Sequence, residues 1–193
     1  MVWFAVVLLA LTLTAVGAVA YAVSLYNGLI QVKHQVDQAW ANIDVLLTQR
    51  HDELPKLVDA AKGYMAHERT LLENLTALRV RATTTGDRDE RVAVEEALTQ
   101  GVSRLLAVAE NYPQLRANEV FAVLLQRISA LEEQISHRRE FYNAAVNINN
   151  VAMEQFPELL LSSTAGLARR LLFGASPAER DGAGTLSLSG ANK

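Results

Sequence analysis

Apolar positions along this chain follow two regimes. From Val2 to Leu25 the run VWFAVVLLALTLTAVGAVAYAVSL is continuous, and no Asp, Glu, Lys, Arg or His occurs before Lys33. At 1.5 Å per residue, a helix of that length spans roughly 36 Å, enough to cross a hydrocarbon layer of about 30 Å with some tilt. Beyond it the apolar residues settle into a heptad rhythm. Leu25, Leu29, Val32, Val36, Ala39, Ile43 and Leu46 recur at alternating intervals of four and three, which puts them on one seam of a helix. Only Gly28 interrupts this stretch, so the apolar helix is expected to run on into the body of the protein.

The seam skips at Arg50 and resumes as Leu54, Leu57, Ala61, Tyr64, Glu68, Leu71, Leu75 and Leu78. Pro55 lacks the N–H that a helix interior needs, so a kink or restart is expected there, with the skip as a local stutter. TTTGDRD (83–89) reads as a loop, with Asp87 or Asp89 capping the next helix. That helix runs to about Glu110 over Val94, Leu98, Leu105 and Leu106. Asn118 then N-caps a last long helix. Its seam is Phe121, Leu124, Ile128, Leu131, Ile135, Arg138, Tyr142, Ala145, Asn149, Ala152 and Phe156, stopped by Pro157. Narrow seams on long helices are buried only if the helices lie side by side. The prediction is an all-α protein: one N-terminal transmembrane helix continuing into an elongated antiparallel bundle of three to four long helices. Residues 1–26 form the anchor, 27–173 the bundle, and 174–193, small and polar without pattern, a disordered tail.

Composition sharpens this picture. Half of the 193 residues are hydrophobic but only 6% are aromatic, which fits helices rich in Ala, Leu and Val. No cysteine is present, so disulfides, thiolate zinc sites and thiol catalysis are excluded. A net charge of −3 argues against nucleic acid as a partner. Trp3 and Phe4 at one end of the apolar run, and Tyr21 and Tyr26 near the other, suit the two membrane interfaces. A cleaved secretory signal is the competing reading, since Ala18-Val19-Ala20 resembles a cleavage site. Against it, no Lys or Arg precedes the run, and the run continues past the site. Membrane lipid, contacted through residues 2–26, is thus an expected partner.

Candidate chemistry is sparse. His34, His51, His67 and His137 form no HxxxH or HExxH pair, and solvation or capping accounts for them, including the polar His51-Asp52-Glu53 beside Pro55. Glu132 and Glu133 make no di-metal motif, because no Glu has a His three residues later. No Gly-rich phosphate loop or nucleophile elbow occurs. His67, Glu68 and Tyr112 are the one conceivable catalytic cluster. Asn143, Asn147 and Asn150 share a helix face, and Asn149 enters the seam, where a buried Asn can set register. Arg169 and Arg170 with Leu171, Leu172 and Phe173 could touch anionic lipid heads, the competing and favoured reading being a loosely packed helix end. No catalytic residue, cofactor or metal is assigned.

The stretch NYPQLRAN (111–118) reads as a corner: Pro113 forces Tyr112 out of the α region and Asn118 starts the next helix. AENYPQLRAN also resembles a signature of the LemA family of bacterial membrane proteins. The likeness extends over YNGLIQVKHQVDQAWANIDVLLTQRHDELPKLVDAAKGYMAHE (26–68), RREFYNAAV (138–146) and QFPELL (155–160), and so over roughly 1–173. Glu133-Gln134-Ile135 and Ile148-Asn149 depart from the family pattern. The resemblance implies one membrane helix, a long helical bundle, an N-terminus outside and a bundle in the cytoplasm of a bacterial inner membrane. It carries no catalytic residue.

A non-enzymatic scaffold that self-associates or holds a protein partner is therefore expected. Trp40, Asn42, Asp44, Pro55, Tyr64, His67, Asn111, Tyr112, Pro113, Asn118, Tyr142, Asn143 and Asn149 are its candidate joints or contact residues. The alternatives are an adaptor presenting its bundle to a membrane protease or envelope stress system, and an enzyme of unrecognised site.

Overall fold

The computed structural model describes residues 2–174, so the predicted tail lies, apart from Gly174, outside the described residues. Those residues are built from α1 (Val2–Lys62), α2 (Arg69–Thr84), α3 (Arg88–Ala109), α4 (Pro113–Arg116), α5 (Glu119–Ala152) and α6 (Leu159–Ser162), with a 3-10 turn at Ala66–Glu68. The all-helical class read from the periodicity is what the structure shows. Two compact units emerge, one from residues 39–144 with 171–174, the other from 2–38 with 145–170.

In the first, the bundle unit, α1 and α5 run antiparallel. Trp40 meets Tyr142, Arg50 meets Glu132, and Tyr64 meets Asn118, so partners fall along one helix as they rise along the other. A hairpin of α2 and α3 completes the unit. Its turn is closed by Asp87, whose carboxylate accepts from the Glu90 N–H at 2.8 Å and caps α3. Asp89, the other capping candidate, instead accepts from the Leu171 N–H at 3.0 Å. The hairpin is close where Gly101 faces Leu75: a Cβ at Gly101 would lie 2.8 Å from a Leu75 methyl. The apolar core joins Leu54, Leu57 and Ala61 of α1 to Leu72 and Leu75, Leu98 and Leu105, and Phe121 and Ile128. Each leucine, isoleucine or phenylalanine among them contributes about 1.5–3 kcal/mol on burial.

Pro55 does not break α1, which continues to Lys62 before Gly63 and Tyr64 turn the chain. The missing Pro55 N–H would have bonded the His51 carbonyl one turn back. That oxygen accepts instead from Arg79 Nε of α2, at 3.1 Å. The seam does not skip either. Ile43, Leu47, Arg50, Leu54, Leu57 and Ala61 keep the four–three alternation, and all are buried. A charged residue simply occupies one core position.

The corner at 111–118 behaves as read. Pro113 takes the first position of α4, where no N–H is needed, and Leu115 is fully buried. Asn118 caps α5 by accepting from the Phe121 N–H at 3.0 Å. Along α5, two seam expectations fail. Arg138 is exposed, and Arg139 is the arginine that turns inward. The helix ends at Ala152, leaving Phe156 outside it and 78% exposed.

In the second unit, the apolar part of α1 has mean hydropathy 2.4 over an 18-residue window, none of it buried in the protein. It is not a core helix. Further along, Leu29 of α1 packs with Ala152, Ala165 and Leu167. Gly166 adopts φ +72°, and a Cβ there would sit 3.1 Å from Lys33 Nζ.

Candidate functional site: a buried charged cluster

Arg50 has no exposed surface, though it is a guanidinium in the middle of an apolar seam. An isolated buried charge is prohibitively costly, so partners are required. They come from all sides. Nη1 donates to Thr99 Oγ1 and to Glu132 Oε1, both at 2.7 Å, while Nη2 donates to the Glu95 carboxylate. Thr99 Oγ1 also accepts from Arg139 Nη2 at 2.7 Å and donates to Glu132 Oε2 at 3.2 Å. With one proton and two lone pairs engaged, that hydroxyl is saturated.

Glu95, wholly buried, is the counterpart on α3. His51 Nε2 lies 3.0 Å from Glu95 Oε1, a hydrogen bond when that nitrogen carries the proton. Arg91 reaches the same oxygen at 3.7 Å and binds Asp44 at 2.5 Å. Burial pushes the Glu95 carboxyl up. The hydrogen bond with His51 and the positive charge of Arg50 outweigh it and leave the group below the ordinary carboxylate range. Burial and the like charge of Arg50 lower Arg139, against the opposing pull of Glu96, Glu132 and Glu95. Arg50, Arg91 and Arg139 thus share this region with Asp44, Glu95, Glu96 and Glu132. Arg50, His51 and Glu95 are closed to solvent. The arrangement can fix the mutual register of α1, α3 and α5.

An aromatic group lies on the same unit. Trp40 stacks on Phe173 at 6.4 Å between centroids, and Tyr142 meets both rings at 5.6 and 5.5 Å. Arg88 and Arg91 cover Trp40 at 5.3 and 5.6 Å, and Arg139 covers Phe173 at 4.7 Å. Asn143 holds the Phe173 backbone with both ends of its amide: Nδ2 donates to the carbonyl at 3.0 Å, and Oδ1 accepts from the N–H at 2.9 Å. The Gly174 N–H donates to Glu96 at 2.6 Å. In the other unit Asn150 does the same for Arg170, at 2.9 and 3.0 Å, and Asn149 donates to the Ala168 carbonyl at 2.9 Å. These asparagines bind backbone of their own chain.

The structure thus brings Trp40, Asp44, Tyr142 and Asn143 together around this cluster. Tyr64 and Asn118 pair at the other end of the helices, where Asn118 Nδ2 donates to the Tyr64 hydroxyl at 3.2 Å, and Tyr112 packs on the apolar core there. Asn42, His67, Asn111 and Pro113 are exposed, Pro55 lies within α1, and Asn149 is buried in the second unit. Two expectations are overturned. His51 is neither solvated nor at an exposed kink, because it is buried against Glu95. Phe173 is not available to lipid, because the rings of Trp40 and Tyr142 enclose it, and Arg169 pairs with Glu154 at 3.3 Å. Sequence reasoning missed Arg50, Glu95, Thr99 and Arg139. One signal was legible: Arg50 falls seven residues after Ile43 and seven before Leu57, a core position. Among the described residues, no group of three or more His, Asp and Glu is placed to hold a metal ion.

The LemA family matches over residues 39–184. The chain is also similar to two magnetosome proteins of Paramagnetospirillum magneticum, MamQ 1 and MamQ 2, each 22% identical over 86% of this chain and 71% of theirs. Magnetosome protein MamQ of Magnetospirillum gryphiswaldense is 21% identical over 88% and 73%.

Proposed function

The chain belongs to the LemA family, and from that premise we propose that it is a non-enzymatic scaffold of the bacterial cell envelope, anchored in the inner membrane by one pass of α1, that self-associates through the outer face of α5. The supporting observation is a second heptad stripe on that helix, about 100° round from the buried seam. Val120, Val123, Arg127, Ala130, Gln134, His137 and Phe141 alternate by three and four, and all are exposed. Phe141 is 64% exposed and Val120 65%, and on the adjoining helix Val45 is 59% exposed. Phe141 and Val45 line one shallow groove together with Asn42 and His137. Val120 and Val123 at one end of the stripe and Phe141 at the other are exposed apolar side chains of the kind a helix–helix contact uses, with polar positions between them.

On this reading the buried charges hold the helices in one register while the outer stripe meets a second copy, and the bundle lies on the cytoplasmic side. Size measurement in mild detergent tests it. The full chain runs as an oligomer, and Val45→Glu with Phe141→Glu reduces it to a monomer of unchanged helicity. A wild-type monomer overturns self-association. A monomer that carries a defined protein with it points to the adaptor reading, in which the bundle serves a membrane protease or stress system.

A further inference from the structure

The turn that follows α5 exposes Phe156 at 78%, Leu159 at 50% and Leu160 at 65%, an apolar patch facing solvent outside the apolar run of α1. Soluble surface has no use for three such side chains within five residues. Their position explains them. In the same unit, Gln155 and Glu158 line a groove whose far wall is Tyr21, Ser24 and Leu25 of α1. Leu161, Ala165 and Leu167 pack where Leu29 does. The turn therefore sits beside the last turns of the apolar run, before its first charge at Lys33. If α1 crosses a bilayer of about 30 Å starting near Trp3, the crossing ends close to Tyr21, and the next turns of helix lie at headgroup level.

We propose that Phe156, Leu159 and Leu160 form a foot that inserts into the lipid interface of the membrane that α1 crosses. The inference rests on the anchored reading of α1. The foot binds by apolar insertion rather than by charge. Its ionisable residues are Glu154 and Glu158, the first paired with Arg169, so it carries no cationic cluster to capture anionic headgroups. The occupant it fits is the neutral, upper acyl-chain region of a phosphatidylcholine or phosphatidylethanolamine bilayer.

Tryptophan reporters in the full chain, reconstituted in phosphatidylcholine vesicles, test this. Trp3 and Trp40 are replaced by Phe, and single reporters are introduced as Phe156→Trp, Leu160→Trp, Leu11→Trp and Val120→Trp. Lipid brominated near the top of its acyl chains is the quencher. The expected result is a loss of emission at Phe156→Trp and Leu160→Trp approaching that at Leu11→Trp, with Val120→Trp unaffected. Quenching at Leu11→Trp without quenching at the two turn positions overturns the foot and leaves the anchor standing. Absence of quenching at Leu11→Trp overturns the anchor, and the foot with it. All four reporter positions are exposed in the protein, so placing tryptophan there does not disturb packing; Trp40→Phe trims the aromatic group at Phe173 but is common to every reporter, so it produces no difference between them.

Discussion

The two halves of the bundle unit are held together by opposite means. Around Leu57, Leu75, Leu98, Leu105 and Phe121 the helices meet mainly through apolar side chains. Around Arg50, Glu95, Thr99 and Glu132 they meet through charges and hydrogen bonds, most of them buried. Apolar contact is non-directional and tolerates sliding, so it supplies stability more than it supplies register. A guanidinium that must find two carboxylates and a hydroxyl at fixed distances tolerates one alignment. Such a cluster adds little net stability over an apolar equivalent but penalises every other alignment. One half makes the helices associate, and the other decides where.

Breaking the charged half at a single residue is the harshest test. Arg50→Met leaves Glu95 buried without its main partner and lowers unfolding free energy by about 3–5 kcal/mol, measured by urea titration. Adding Glu95→Met to Arg50→Met restores much of that loss, because no charge is then stranded. If the double replacement is as unstable as the single one, the cluster is a source of stability and the contrast with the apolar half fails. In the apolar half, Leu57→Ala lowers stability by about 2–5 kcal/mol, and no second substitution in the seam rescues it. Arg79→Met removes the donor from the His51 carbonyl and costs about 1–3 kcal/mol, while an equivalent change at the exposed Arg69 is silent.

The gentlest test is pH. The folded Glu95 carboxyl lies below its ordinary value of 4.5. The folded protein therefore keeps Glu95 ionised at a pH where the unfolded chain has bound a proton. The stability this contributes is complete above that value and is lost as pH falls through the lower folded one. The urea midpoint of the wild type should thus fall more steeply below pH 4.5 than that of Glu95→Gln. Parallel curves would remove Glu95 from its assigned place.

The all-helical class, the capping role of Asn118 and the corner at Pro113 were legible because each depends on neighbours in sequence; the turn between α1 and α2 was not, since the break was expected at Pro55 and falls after Lys62 instead. Seam membership was legible at most apolar residues, though the buried position is Leu47 where Leu46 was expected, and Tyr64 is exposed. It failed at Arg50 because a charge reads as exposed unless its partners are known, and Glu95 and Glu132 lie 45 and 82 residues away. Pro55 misled for the same reason, since the donor that relieves it is 28 residues downstream. Asn143 was singled out for its face, but its ligand, the Phe173 backbone, is 30 residues on and carries no pattern. Phe156 fits the heptad count and leaves it only because the helix stops four residues sooner, at Ala152.

Pro55 puts the position of a whole helix in the hands of one arginine. An ordinary residue there would bond the His51 oxygen from within α1, and α2 could shift along its neighbour without stranding a dipole. With proline, that oxygen must be met from outside, and Arg79 can meet it from one place. What looks locally like a defect in α1 acts at longer range as a notch, and the hairpin of α2 and α3 is hung on it.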